Sequence, residues 1–167
     1  MYAVVDIEAT GGNHVKGRII EIAIILFDGK KIVSEYSTLI NPEVKIDWYV
    51  TKLTGIKNEM VADAPLFKDV AQEILDLTKG KVFVAHDVDF DYKFLKAELK
   101  KAGLPFNEPK VCTLTLSKKH LPEAESYSLG KLCDAMGIPI PKEVRHRAAG
   151  DAVATAKLLG LLLSSNN

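Results

Sequence analysis

Apolar positions along this chain fall into two kinds of pattern, short continuous runs and stripes recurring every three to four residues. Tyr2-Ala3-Val4-Val5 is a run of the first kind and predicts a buried strand. Arg18 to Phe27 is longer and largely apolar, and Asp28-Gly29 after it is a hairpin signal leading into a third strand, Lys31 to Leu39. Asn41-Pro42 ends that strand. Lys81 to Ala85 reads as a fourth strand and Pro109 to Cys112 as a short fifth. Helical patterns lie between and after them. Ala64 to Leu77 sets Leu66, Val70, Ile74 and Leu77 on one stripe, with Pro65 suited to a first turn. Asp91 to Ala102 closes at Gly103, and Ser128 to Met136 closes at Gly137 with Pro139 beyond. Ala148 to Leu163 carries a stripe through Ala152, Ala156, Leu159 and Leu163. Three strands in succession, then strands alternating with helices, predict an α/β protein with a mixed five-stranded sheet flanked by helices.

Length and composition narrow the picture. The 167 residues fit one domain spanning 1–167, with 163–167 expected as a frayed tail. There is no internal repeat, low-complexity tract or linker. The amino terminus lacks the basic-then-apolar layout of a secretory signal, and no apolar run approaches membrane length, so a cytoplasmic protein without a membrane partner is expected. Cys112 and Cys133 are the only 2 cysteines, and free thiols are expected rather than a disulfide. A formal net charge of +0 argues against coating long stretches of duplex. It leaves room for local basic clusters: Lys93, Lys96 and Lys100, Lys118 and Lys119, or the Lys142 to Arg147 segment.

The candidate chemistry is acidic. Asp6 and Glu8 end the first strand two residues apart, so both point to one face. Such a pair repels itself unless something positive sits between, and hard oxygen donors suit Mg²⁺ or Mn²⁺. Asp91 and Asp151 each fall near the start of a predicted helix, where a carboxylate also complements the helix dipole. His146 lies five residues before Asp151, a rotation of roughly 140° on one α-helix. The two cannot share a helical face, so His146 is expected in the loop leading into the helix. An imidazole there can accept a proton from attacking water.

Asp6-Ile7-Glu8-Ala9-Thr10-Gly11, His86-Asp87-Val88-Asp89-Phe90-Asp91, and His146-Arg147-Ala148-Ala149-Gly150-Asp151 resemble the three motifs of the DEDDh 3′–5′ exonucleases. That family includes the proofreading (epsilon) subunit of bacterial replicative polymerases, ribonuclease T and oligoribonuclease. Arg18 to Ile22, Leu53 to Ile56 and Ser126 to Leu129 join the resemblance, which runs over nearly the whole chain. It implies a ribonuclease H-like fold. It further implies two divalent metal ions held by Asp6, Glu8, Asp91 and Asp151, with His146 as general base in a two-metal hydrolysis. Ala9, Thr10 and Gly11 are implied to meet the terminal nucleotide, and Leu53 and Thr54 to lie against its base. Phe94 reads as core and His86 as a structural or supporting residue. The family commonly has Asn where this chain has Asp87. Asp89 and Asp91 follow, and of the three aspartates Asp91, with Phe90 before it and Phe94 three residues on, fits the second motif best.

The function expected is hydrolysis of DNA from a free 3′ end, releasing 5′-mononucleotides, in proofreading or repair with a polymerase or repair partner. A ribonuclease of oligoribonuclease or ribonuclease T type is the alternative, and a non-catalytic nucleic-acid-binding module is the alternative from another class. The only glutamine, Gln72, lies inside a predicted helix, which disfavours a Gln-initiated clamp-binding peptide within this chain.

Overall fold

The computed structural model describes residues 1–141 and 146–164. Five strands, β1 (Tyr2–Ala9), β2 (Ile19–Phe27), β3 (Ile32–Leu39), β4 (Val82–Ala85) and β5 (Lys110–Cys112), form one sheet in the order β3-β2-β1-β4-β5. β1 is antiparallel to β2, and β2 to β3, whereas β1, β4 and β5 run parallel. The mixed sheet expected from the pattern is therefore present, and β1 is its middle strand.

The helices are α1 (Trp48–Thr54), α2 (Asn58–Val61), α3 (Phe67–Thr78), α4 (Val88–Lys101), α5 (Thr113–His120), α6 (Leu129–Ala135) and α7 (Ala148–Ser164). Alternation along β1 separates two cores. Ala3, Val5, Ile7 and Ala9 bury themselves with Phe67, Ala71 and Ile74 of α3 and Phe94, Leu95 and Leu99 of α4. Val4, on the opposite face, packs with Ala148, Ala152, Ala156 and Leu159 of α7. Three alanines at four-residue spacing let α7 approach the sheet closely, which brings its first turn over the end of β1.

Several boundaries differ from expectation. α3 begins at Phe67 rather than Ala64, because the Pro65 carbonyl accepts from the Asn41 amide (2.9 Å) and Leu66 bridges Asn41. Pro65 thus precedes the helix instead of opening it. α4 begins three residues earlier than expected, at Val88. α7 extends through Ser164, so the tail expected from 163 is helical that far, and 165–167 lie outside the described residues. The helices α1, α2 and α5 are additions. Phe94 is core, as expected, and neither Cys112 nor Cys133 is in a disulfide. No helix among the described residues is long and apolar enough to cross a membrane.

Candidate active site

The parallel β1·β4 ladder stops at Val4↔Val84, and β1 continues past it. Beyond that point the Ile7 amide donates to Asp91 Oδ1 at 2.9 Å. Asp91, in the first turn of α4, is thereby pulled against the strand end and is buried. Asp6 and Glu8 share the face that α7 covers, and Asp151 sits in the first turn of α7. Carboxylate oxygens of Asp6, Glu8 and Asp151 all lie within 4.8 Å of one another. Three segments distant in sequence, β1 and the first turns of α4 and α7, meet at one end of the sheet.

This crowding has an electrostatic consequence. Burial, then the charges of Asp91, Asp151, Glu8 and Glu21, hold the Asp6 carboxyl well above the usual carboxylate range. Glu8 is pushed up to about 8 by burial and by Asp151 and Glu21, with Arg147 opposing. Burial likewise raises Asp91, although its own amide and that of Ile7 work the other way. Without cations such a group of carboxyls holds protons at neutral pH. A divalent cation removes the conflict, and hard oxygen donors clustered this tightly fit Mg²⁺ or Mn²⁺.

The register of the second motif is resolved by burial. Asp89 is exposed and ion-paired with Lys110, so it is turned away from the cluster. Asp87 caps α4 in a left-handed conformation, φ 65°. Asn and Asp are the side chains that tolerate this backbone best, which explains why either can stand there. His86 is structural: its Nε2 lies 2.8 Å from the Tyr127 carbonyl and its Nδ1 2.9 Å from the Thr113 hydroxyl. A carbonyl only accepts, so Nε2 carries a proton, and in the neutral ring Nδ1 is left to accept from the Thr113 hydroxyl. Burial, which lowers its pKa, favours the same state.

His146 occupies a turn just before α7, also left-handed at φ 61°, and is exposed. It lines a cavity of about 360 Å³ together with Asp151, Ser128 and Lys131. The loop placement expected for it is found, beside the carboxylates rather than among them.

One arrangement was not anticipated from the sequence. Glu21 stands directly across from Glu8 in the β1·β2 ladder and is buried. It accepts from Arg147 Nε at 3.0 and 3.1 Å, from Arg147 Nη2 at 2.6 Å, and from the Ala148 amide at 3.0 Å. The Arg147 carbonyl then accepts from the Asp151 amide at 3.1 Å. Glu21 therefore anchors the turn that carries His146 on one side and Asp151 on the other. A signal existed: Glu21 is the one charged residue within Ile19–Phe27, and a charge inside a buried strand requires a partner. Arg147→Ala, leaving Glu21 buried and unpaired, should lower stability toward the bottom of the range of about 3–5 kcal/mol, since Arg147 keeps a third of its side chain exposed. Urea unfolding would read this directly.

Of the remaining expected contacts, Ala9 is buried at the end of β1, and Thr10 and Gly11 follow it into the turn. Leu53 is exposed, but Thr54 is turned inward, its hydroxyl donating to the Val50 carbonyl (2.9 Å) and accepting from the Ile56 amide (3.1 Å). Lys93 lines a cleft of about 200 Å³ with Gly12, His14 and Asp87. Lys96 instead reaches Asn107, and Lys118 lies over Tyr127. In the Lys142 to Arg147 segment, residues 142–145 lie outside the described residues, and Arg147 is committed to Glu21.

The exonuclease (RNase_T) family profile matches residues 3–159, and the chain belongs to this family. It is 39% identical over 157 residues to the PolC-type DNA polymerase III of Caldanaerobacter subterraneus subsp. tengcongensis, covering 94% of this chain and 11% of that protein. It is 40% identical over 159 residues to the 3′-5′ exonuclease DinG of Staphylococcus aureus, covering 95% of this chain and 18% of that protein. The chain thus spans less than a fifth of the length of these curated relatives. Exonuclease X, solved in complex with 5′-overhanging duplex DNA, has a TM-score of 0.80 at 28% identity, covering 98% of this chain and 92% of that one. The nuclease domain of 3′hExo, a DEDDh family member bound to rAMP, shares the fold with a TM-score of 0.81 at 20% identity, covering 98% and 91%. The ribonuclease H-like, α/β architecture expected from the motifs is thereby borne out.

Proposed function

We propose that this chain is a metal-dependent 3′–5′ exonuclease that hydrolyses the terminal phosphodiester bond of DNA and releases 5′-mononucleotides. The observation that carries this reading is the convergence of Asp6, Glu8 and Asp151 oxygens within 4.8 Å at a strand end that also binds Asp91. In this reading Asp6, Glu8, Asp91 and Asp151 hold two divalent cations, which supply charge neutralisation at the scissile phosphate and a nucleophile at neutral pH. The chain's own groups do the rest. His146 takes the proton of the attacking water, and Ala9, Thr10, Gly11 and Leu53 fix the terminal nucleotide. Glu21 and Arg147 hold the turn so that His146 and Asp151 keep their positions.

Exonuclease X, a neighbour over nearly the whole chain, was solved with DNA, which favours a DNA substrate. The PolC-type relative, named as a DNA polymerase III, supports a polymerase setting, in which removal of a 3′-terminal nucleotide is proofreading, and the 3′-5′ exonuclease DinG supports the direction of hydrolysis. An RNA substrate is the second reading, favoured by the rAMP bound to 3′hExo. One assay separates them. Matched DNA and RNA oligonucleotides, labelled at either end and with the 3′ hydroxyl free or blocked, are incubated with Mg²⁺ or Mn²⁺. Stepwise shortening of unblocked DNA from its 3′ end is the expected result. Internal cuts or digestion from the 5′ end overturn the polarity, and much faster loss of the RNA overturns the DNA assignment.

A further inference from the structure

The inner face of α1 is fully used: Val50 packs with Ile20, Ile46, Ile56 and Val61. Its outer face carries Trp48, 75% exposed, and Tyr49, 50% exposed. They are the only exposed aromatic side chains among the described residues, and they are adjacent. Trp48 is also the chain's single tryptophan. Two large rings held in water by a helix whose other face is anchored call for something to cover them.

Their position says what that is. A Cβ on Gly11 would lie 3.8 Å from the Tyr49 hydroxyl, so Tyr49 borders the turn that leaves the acidic strand end. Leu53 is one helical turn beyond Tyr49 on the same side. Lys52, one turn beyond Trp48, places its Nζ 6.0 Å from the indole centroid. The outer face of α1 therefore continues the rim of the acidic site outward as ring, ring and cation. That composition matches a single nucleic-acid strand, whose bases stack on aromatic faces and whose phosphates seek cations. A chain with a formal net charge of +0 has little general attraction for a polyanion, so base stacking adds hold on a strand that overall charge does not supply.

We infer that Trp48 and Tyr49 form a stacking platform for the bases upstream of the nucleotide being removed, with Lys52 on the adjoining phosphate. The inference rests on the nucleic-acid reading of the acidic site but reaches beyond it, since hydrolysis at the strand end does not require a platform.

The single tryptophan makes the test direct. Metal-free protein is titrated with an oligothymidylate of about twelve nucleotides, within the span such surfaces cover, while Trp48 emission and the anisotropy of end-labelled oligonucleotide are followed together. Emission should change in step with anisotropy, and Trp48→Ala and Tyr49→Ala should each weaken binding about tenfold, with Trp48→Phe restoring most of it. The weakening should grow with strand length and be smallest for a dinucleotide. Both positions are exposed, and a thermal melt checks that the variants fold. Saturated anisotropy with unchanged Trp48 emission and equal affinity in the alanine variants overturns the platform, while 3′-end digestion by the same preparation leaves the exonuclease reading standing. A protein that digests no strand but still binds the oligonucleotide through Trp48 upholds the platform and overturns the exonuclease reading. No emission change and no binding overturns the platform.

Discussion

Asp6→Asn should reduce hydrolysis by more than about 10³-fold, beyond the roughly 10–100-fold that losing an outer-shell partner of a metal site causes, while leaving the fold intact. An amide is a poor bridging ligand, and Asp6 is the residue that Asp91, Asp151, Glu8 and Glu21 all crowd. The same substitution should make the metal-free protein more stable at alkaline pH, and here the sign matters. In the unfolded chain Glu8 ionises near 4.5, whereas in the folded chain burial and its acidic neighbours push it up to about 8. Between those values the unfolded state releases the proton first, so stability is full below about 4.5 and declines as pH rises toward 8. Asp6 is displaced in the same direction. Thermal melts of the metal-free wild type should therefore fall from pH 5 to pH 8, and added Mn²⁺ should raise the melting temperature more at about pH 8 than at about pH 6. Asp6→Asn should flatten the first trend and weaken the second. A wild type whose melting temperature ignores Mn²⁺ at every pH would remove the metal assignment.

Replacement of His146 should have the second largest effect, a loss of about 10²–10⁴-fold in rate, the usual contribution of a general base. The backbone at His146 is left-handed, φ 61°. Alanine pays a steric penalty there of roughly 1–2 kcal/mol that asparagine largely escapes. His146→Asn is accordingly the cleaner variant: it keeps the turn and removes the base. It should retain the Mn²⁺-induced rise in melting temperature and lose the limb of the pH–rate profile that a protonating imidazole imposes. If His146→Asn cleaves at the wild-type rate with the same pH profile, His146 is not the base.

The difference between these two residues and Glu21 illustrates what each level of description can reveal. Asp6, Glu8 and Asp151 show in sequence as a carboxylate pair at a strand end and a carboxylate in a first helical turn, each of which also has an ordinary structural use when taken alone. The resemblance to DEDDh exonucleases then joins them. Among three alternating aspartates the sequence singles out Asp91 only by its spacing to Phe94; burial against the Ile7 amide is what separates it from exposed Asp87 and Asp89. The Glu21–Arg147 contact spans 126 positions. Nothing local marks the partner, because either side chain alone can be satisfied in many ways.

The helices missed by pattern reading have similar explanations. α1 presents Trp48, Tyr49 and Leu53 to solvent, so its apolar residues surround the helix and no stripe emerges. α5 opens with Thr113-Leu114-Thr115-Leu116, an alternation with strand character directly after β5. Its helical form is imposed by context, with Thr113 and Ser117 buried and the Thr113 hydroxyl close to His86. Local preference there is overruled by packing.

By itself the sequence determined the five strands, the long helices α3, α4 and α7, and the chemical kind of the site, since hydrophobic period and residue type are local properties that survive without a fold. Only the tertiary structure decided which carboxylates meet, which are turned away, and what fixes the turn before α7. Those outcomes depend on where β1 outruns β4 and on how closely an alanine face lets α7 approach the sheet. They are distances between segments far apart in the chain, and no local pattern encodes a distance of that kind.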